Sequence, residues 1–356
     1  MSPIKFAVIG SGWRSLFYWR IACAYPVYFQ MTAMLCRTEE KAARMREEYG
    51  IPAVTSEAEC QAGKPDFVVV AVNKPSICQV SMDWLKKGYP VLCETPAALE
   101  LSDLQRLWRM RMEEGAKLQV AEQYFCYPTF QAGIRAVQMG YLGDPYMIDL
   151  SAVHDYHSAS LIRRYLGVGM ETMTVLGKKY TYPVEETDSR YGAIRDGRVS
   201  MRDRVRLTFE FSGGKTAFYD FDGVQYHSHI RSRHIRVMGQ CGELDDWTIR
   251  YVDQEHVTHA EQMMVERTRD GAGIRQISFE GQILYENPFQ LLGEKVLLPQ
   301  DETAVASMML GMRRYIEEGA EVYPLAEALQ DAYVRILMEE ALRSGQAVKS
   351  EPQIWN

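Results

Sequence analysis

The apolar run Ile4–Ile9 stops at Gly10-Ser11-Gly12, and Trp13–Tyr25 then carries a pattern compatible with a helix. A strand that breaks on glycine and turns at once into a helix has few places to go. It reads as the first strand of a layered α/β sheet, with the turn at the strand's carboxyl end. Gly10 permits the tight turn, and Gly12 leaves the backbone bare enough to approach a diphosphate. The helix start behind Trp13 and Arg14 adds N–H groups and a positive dipole end. Ser15 occupies the third glycine position of a G-x-G-x-x-G fingerprint, where a small residue suits close helix–strand packing. The competing reading is a tight βα turn that binds nothing.

The segments beyond the turn support the first reading. Gln30–Cys36 is β-like, and Glu39–Tyr49 is helical. Asp66–Val72 is a valine-rich run suited to a strand buried on both faces of a parallel sheet. Ile77–Gly88 reads as helix, Val91–Cys93 as strand, Leu101–Glu114 as helix and Leu118–Ala121 as strand. The alternation predicts a doubly wound Rossmann domain over residues 1–122. At roughly 150 residues per domain, 356 residues imply a second domain. Residues 123–356 read as α+β: helix Pro128–Met139, strand Tyr146–Val153, then β-like runs Val205–Phe211, Lys215–Phe221, His234–Met238, Trp247–Val252 and Ile274–Phe279. Gly213-Gly214 between two of these runs signals a hairpin, so the sheet is expected to be large, open-faced and mostly antiparallel. Helices Thr303–Glu318, with Asp301 as expected N-cap, and Leu325–Ser344, stopped by Gly345, close the chain and are free to pack back on the first domain.

A net charge of -7 with no Lys/Arg block argues against a nucleic-acid partner. No stretch approaches the roughly 20 apolar residues of a membrane span, and the opening residues lack the pattern of a signal peptide. Seven cysteines with no C-x-x-C pair fit reduced thiols in the cytoplasm.

The expected cofactor is a dinucleotide. The second strand ends Leu35-Cys36-Arg37-Thr38, without the acid that usually holds the ribose hydroxyls of NAD. Arg37 suits a 2′-phosphate or the face of an adenine, and Lys41 lies one turn on, so NAD and NADP both stay open. Val72 and Asn73, after the fourth strand, are further expected cofactor contacts.

Beyond Lys87-Gly88 the chain reads Val91-Leu92-Cys93-Glu94-Thr95-Pro96. Here it resembles the Gfo/Idh/MocA family, relatives of glucose–fructose oxidoreductase and inositol dehydrogenase, which carry Glu-Lys-Pro at this strand end. Tyr141-Leu142-Gly143-Asp144-Pro145, His157…Leu166-Gly167, Arg236…Glu243 and Arg343…Val348 resemble further family segments, so the resemblance spans essentially the whole chain. It implies NAD(P)-dependent chemistry on sugars or cyclitols. It also implies cofactor contacts at Glu94, Thr95, a cis Pro96 and Gln123, and a homo-oligomer, dimer or tetramer, built on the open sheet face.

The chain departs from the family where proton transfer is expected. The family's lysine is Thr95 here, and its two acids near the histidine are Val153 and Ser160. Oxidising a secondary alcohol requires a group to take the hydroxyl proton, and threonine cannot. His157 is the replacement candidate, with His154, Tyr124 and Lys74 in support and Asp155 to orient an imidazole. Tyr156 and the segment around Tyr226, His227, His229 and Arg231 suit a polyhydroxylated substrate, by stacking and hydrogen bonding. His154-Asp155-Tyr156-His157 also has spacing for a metal, but no third ligand is evident and no metal is assigned.

Three functions are compatible with these residues. The first is an NAD(P)-dependent dehydrogenase or reductase of a sugar, glycoside or cyclitol. The second is a glycoside-cleaving enzyme that oxidises transiently with tightly held NAD. The third is a catalytically silent sensor of cofactor or sugar.

Overall fold

The computed structural model describes residues 2–189, 191–292 and 297–356. Strands β1 (Ile4–Ile9), β2 (Phe29–Leu35), β3 (Ala53–Val54), β4 (Phe67–Val70), β5 (Val91–Cys93) and β6 (Leu118–Val120) alternate with helices α1 (Ser15–Ala24), α2 (Glu39–Tyr49), α3 (Glu57–Ala62), α4 (Lys74–Lys86) and α5 (Leu101–Glu114). The strands form one parallel sheet in the order β3-β2-β1-β4-β5-β6. The order reverses between β1 and β4, and the crevice outside their carboxyl ends is where such sheets bind ligands. All four residues of β4 are fully buried, as its run of valines implies.

Two details differ from expectation. The short β3–α3 unit has too few apolar positions to show a period. Helix α4 starts at Lys74, earlier than its apolar pattern, because Asn73 accepts from the Ser76 N–H at 3.1 Å and Pro75 fits a first turn.

The second half supplies α6 (Pro128–Gln138), β7 (Pro145–Ser151), α7 (Asp155–Leu166), β8 (Met173–Glu185), a small hairpin β9 (Asp188–Ser189) and β10 (Gly192–Ala193), β11 (Val199–Phe211) and β12 (Thr216–Phe221). The chain continues with β13 (His234–Gly239), β14 (Gly242–Asp245), β15 (Thr248–Val252), β16 (Thr258–Gln262), β17 (Met264–Arg267), β18 (Ile274–Phe279), β19 (Gln282–Glu286), α8 (Gln300–Glu318), α9 (Leu325–Ser344) and β20 (Val348–Lys349). Nine strands form a sheet ordered β16-β15-β14-β13-β7-β12-β11-β8-β20, antiparallel except for β7 beside β12. The fold is therefore a Rossmann domain joined to an α+β unit with a large, mostly antiparallel sheet. Strand β8 has no sequence signal because its outer half, Lys178–Pro183, is exposed at every position and shows no inward period.

One face of the large sheet is covered by α7 and α9, which pack on each other, while α8 lies against α1 of the first domain. The final helices bridge the two halves: Lys117 Nζ donates to the Ile316 carbonyl at 2.8 Å, and Arg20 pairs with Glu302 at 2.8 Å. Asp301 is not the N-cap of α8. Pro299 flanks the helix, and Asp301 sits in the first turn, facing Arg14 at 3.7 Å. Among the described residues no helix is long and apolar enough to cross a membrane.

Candidate active site

A cleft of about 870 Å³ runs along the carboxyl ends of β1, β2 and β4. Gly10, Ser11, Gly12, Trp13, Arg14, Cys36, Arg37, Lys41, Val72 and Asn73 all line it, which gathers most of the expected cofactor contacts in one place. The two glycines do different jobs. Gly10 has φ +117°, and a Cβ there would lie 2.3 Å from the Ala71 carbonyl oxygen, so the crossing of β1 and β4 itself demands glycine. A Cβ on Gly12 would meet nothing within 4 Å. The fold places no demand at Gly12, and a bare backbone there fits the close approach of a diphosphate. Ser15 is fully buried under the turn, as close helix–strand packing requires. Arg37 and Lys41 supply positive charge, while of the two acids that line the cleft Glu57 pairs with Lys87 at 2.8 Å and Asp83 accepts from Gln79 Nε2 at 2.8 Å.

The Thr95-Pro96 bond is cis. Glu94 turns back from this segment to α1. Its Oε1 accepts from Arg14 Nε at 2.7 Å and from the Tyr18 hydroxyl at 2.6 Å. Burial opposes the Arg14 charge, but Glu94, Tyr18 and Asp301 outweigh it and hold the guanidinium pKa above its ordinary value. Gln123, with its amide donating to the Ala121 carbonyl at 2.9 Å, accepts from Arg14 Nη2 at 3.1 Å. Glu94 and Gln123 are thus both joined to Arg14, which lines the cleft.

Beyond β6 the chain places Glu122, fully buried, where sheet and second domain meet. Glu122 Oε2 lies 2.5 Å from His157 Nδ1, and its Oε1 accepts from the Tyr124 N–H at 2.9 Å. A carboxylate accepting the Nδ1 proton fixes the tautomer and leaves Nε2 as the basic nitrogen. Asp155, expected to orient an imidazole, lies beside His154, its Oδ1 3.9 Å from Nε2. Asp155 also accepts from the Tyr156 N–H at 2.5 Å and stands at φ +25°, a strained start to α7.

A second pair flanks the first. The Tyr226 hydroxyl accepts from the His154 N–H at 3.0 Å and from the Tyr124 hydroxyl at 3.4 Å, and it lies 2.7 Å from His154 Nδ1. With both acceptances made, its own proton goes to Nδ1, so His154 carries its proton on Nε2. Burial, the neighbouring His157 and Lys74 pull the His154 pKa down to about 4, against the opposing pull of Asp155. Burial would raise the Asp155 carboxyl, but His154, Lys74 and His157 hold it below the usual range. Lys74 is therefore close enough to act on both groups, although it begins α4 rather than lying in a loop. Burial pushes the phenols of Tyr124 and Tyr226 upward, so both stay protonated donors. The rings pack as one cluster: His157 to Tyr124 at 4.4 Å, and His154 to His157 at 4.7 Å.

One expected substrate contact, Tyr156, is turned into the core, and three others belong to the segment that follows Tyr226. Tyr156 is 1% exposed, and its hydroxyl meets Tyr323 at 3.1 Å in the core. Helix periodicity explains this, since the neighbour of an inward-facing residue on α7 points towards α9. His229 and Arg231 stay exposed in their own loop, with the His229 N–H on Thr187 Oγ1 at 2.8 Å and Arg231 Nη1 on the Ile230 carbonyl at 2.9 Å. His227 closes the short 3₁₀ turn of residues 223–226 through its backbone. Val153 and Ser160 are fully buried. Among the described residues, no group of three or more His, Cys, Asp or Glu is placed to hold a metal ion.

Glu122 is the residue sequence reasoning missed. Its signal was a carboxylate just past the last parallel strand, where ligand-facing residues of such sheets gather.

Residues 4–122 match the family model described as oxidoreductase family, NAD-binding Rossmann fold (Gfo/Idh/MocA). No curated protein sequence matches the chain. Similar solved structures include an oxidoreductase from Agrobacterium radiobacter in complex with NAD+, L-tartaric acid and magnesium, at 15% identity, TM-score 0.69 and 98% coverage of both chains. An NAD-binding oxidoreductase from Klebsiella pneumoniae is likewise 15% identical, with TM-score 0.69 and coverage of 99% of this chain and 100% of that one. The WlbA dehydrogenase from Bordetella pertussis, in complex with NADH and UDP-GlcNAcA, is 14% identical, with TM-score 0.66 and 99% coverage of both. At these identities the likeness carries the fold. Residues 4–122 thus match the NAD-binding Rossmann model of the Gfo/Idh/MocA oxidoreductase family, and the chain shares the fold of these solved structures along its length.

Proposed function

We propose that the protein is an NAD(P)-dependent oxidoreductase of a secondary alcohol or ketone on a sugar, glycoside or cyclitol. Residues 1–122 serve as cofactor module and 123–356 as substrate module. The observation that carries the reading is the buried Glu122–His157 pair at the junction, 2.5 Å between oxygen and nitrogen. Nicotinamide, when bound, accepts or donates the hydride. His157 Nε2 takes the substrate hydroxyl proton, and Glu122 stabilises the imidazolium that forms. Thr95 stands where relatives place a lysine, so this pair assumes the lysine's work, with Lys74 and Tyr124 orienting the hydroxyl. Gly12 and the start of α1 receive the diphosphate, and Arg14, fixed by Glu94, holds the turn in shape. Seven free cysteines suit a cytoplasmic setting.

The test is to incubate the pure protein with NAD or NADP and a panel of sugars, glycosides and inositols while following the reduced-cofactor absorbance. His157→Ala should lower kcat by about 10²–10⁴-fold and Glu122→Gln by about 10–100-fold, with nucleotide affinity kept. Silence across the panel with nucleotide demonstrably bound would overturn the reading.

A second reading draws on the His154–Tyr226 pair. Transient oxidation followed by elimination needs two proton-handling groups, one at the hydroxyl and one at the neighbouring carbon. Here a second imidazole lies 4.7 Å from the first. Aglycone release without net change in reduced cofactor would select it.

A further inference from the structure

Beside the catalytic pair the second domain holds a cavity of about 330 Å³ that the proposed reaction does not use. Two chains of contacts lead to it from His157 and His154. Along one, His157 packs on Tyr124, Tyr124 stacks on Tyr127 at 4.7 Å and 4°, and Tyr127 lies 5.8 Å from Phe130. Tyr127 and Phe130 line the cavity. Along the other, His154 binds Tyr226, and the guanidinium of Arg233, also a lining residue, sits 5.6 Å over the Tyr226 ring. Tyr165 and Trp247 add two further aromatic side chains.

The lining mixes polar and apolar groups, with the hydroxyl-bearing Tyr127, Thr129 and Tyr165 beside Ile235 and Leu244. Gln300 Oε1 is buried and finds no hydrogen-bond partner among the described residues. Arg233 adds positive charge, and Asp246, which accepts from the Ile235 N–H at 2.8 Å, opposes it. A lining of opposed charges and aromatic faces favours a neutral ring over an anion. About 150 Å³ already suffices for benzene in an apolar protein cavity, so the space admits a substituted ring. The orphaned Gln300 oxygen calls for a donor on that ring, such as a hydroxyl.

We infer that this cavity is a subsite for a neutral aromatic group attached to the sugar, so that the substrate is an aryl glycoside rather than a free sugar or cyclitol. The inference rests on the proposed reading of the Glu122–His157 pair as the reaction centre. The sugar ring lies at that pair, and the aromatic group extends over Tyr127 into the cavity. Aryl stacking adds affinity beyond the area buried, and tenfold in affinity corresponds to about 1.4 kcal/mol.

Calorimetry on the nucleotide-loaded protein tests it, using paired phenyl and methyl glycosides of glucose, galactose and mannose in both anomers. For at least one sugar the phenyl glycoside should bind tenfold or more tightly than its methyl partner. Trp247→Ala and, independently, Thr129→Trp, which fills the cavity from a partly exposed lining position, should each abolish that preference while leaving methyl glycoside affinity within about twofold. Equal affinities within every pair, no binding by any pair, or a preference that survives both substitutions would overturn the subsite. Tight phenyl glycoside binding with no reduction of nucleotide and no aglycone release would leave the subsite standing and remove the redox reading instead.

Discussion

Gly10 and Gly12 share one motif and answer to different constraints. Gly10→Ala puts a methyl group 2.3 Å from the Ala71 oxygen at φ +117°, and should cost about 2–4 kcal/mol in urea unfolding. Gly12→Ala points into open space, should change stability by less than about 0.5 kcal/mol, and should weaken nucleotide binding about tenfold or more. Thermal unfolding with and without nucleotide separates the two. His154 gives a pH signature at the same scale. Its folded pKa of about 4 lies below the roughly 6.5 of a free imidazole. Between those values the unfolded chain binds the extra proton, so stability is full above pH ~6.5 and falls as pH drops through about 4. His154→Gln should flatten this segment of the urea-midpoint profile. The glycine turn after β1 was legible because glycine is the residue type that a tight turn with positive φ requires. Glu122 was not, since nothing in Val-Ala-Glu-Gln says which way a carboxylate turns after its strand ends.

Helix α7 carries both imidazoles at its start, and its far end is fastened to α9. Arg163, 3% exposed in its side chain, donates to Asp331 at 2.6 Å, and Asp331 also accepts from the Tyr323 hydroxyl. Glu327 pairs with the same arginine at 2.6 Å but is 35% exposed. Asp331→Ala should therefore cost about 3 kcal/mol or more by stranding a buried charge, while Glu327→Ala should cost under about 1 kcal/mol. Guanidinium titration of both variants checks the contrast. Helices α2, α5 and α9 match the ranges read from the sequence, because each ends on a glycine with positive φ. Strand β8 and the N-terminus of α8 did not. The outer half of β8 has no buried face, and Asp301 serves Arg14 across the domain boundary rather than its own helix.

On the largest scale, one face of the nine-stranded sheet is packed by α7 and α9, and the other stays open. Leu176 on β8 and Phe218 on β12 both pair with Thr208 of β11 and are 50% and 37% exposed on that open face, with Tyr182 51% exposed further along β8. Adjacent exposed apolar side chains on a flat sheet are best covered by a second copy of the same surface. Equilibrium sedimentation should find a dimer or tetramer, and Leu176→Glu combined with Phe218→Glu should give a monomer with its fold intact by circular dichroism. Monomeric wild-type protein at micromolar concentration would exclude this assembly.

Sequence alone determined the alternation of strand and helix and the glycine turn after the first strand, because these depend on neighbours along the chain. Which group orients His157, where Glu94 turns and what lies beside Tyr127 were decided by the tertiary structure. Those contacts join residues 35 to 80 positions apart, or pack an aromatic ring against a cavity wall from another domain segment, and no local period encodes them.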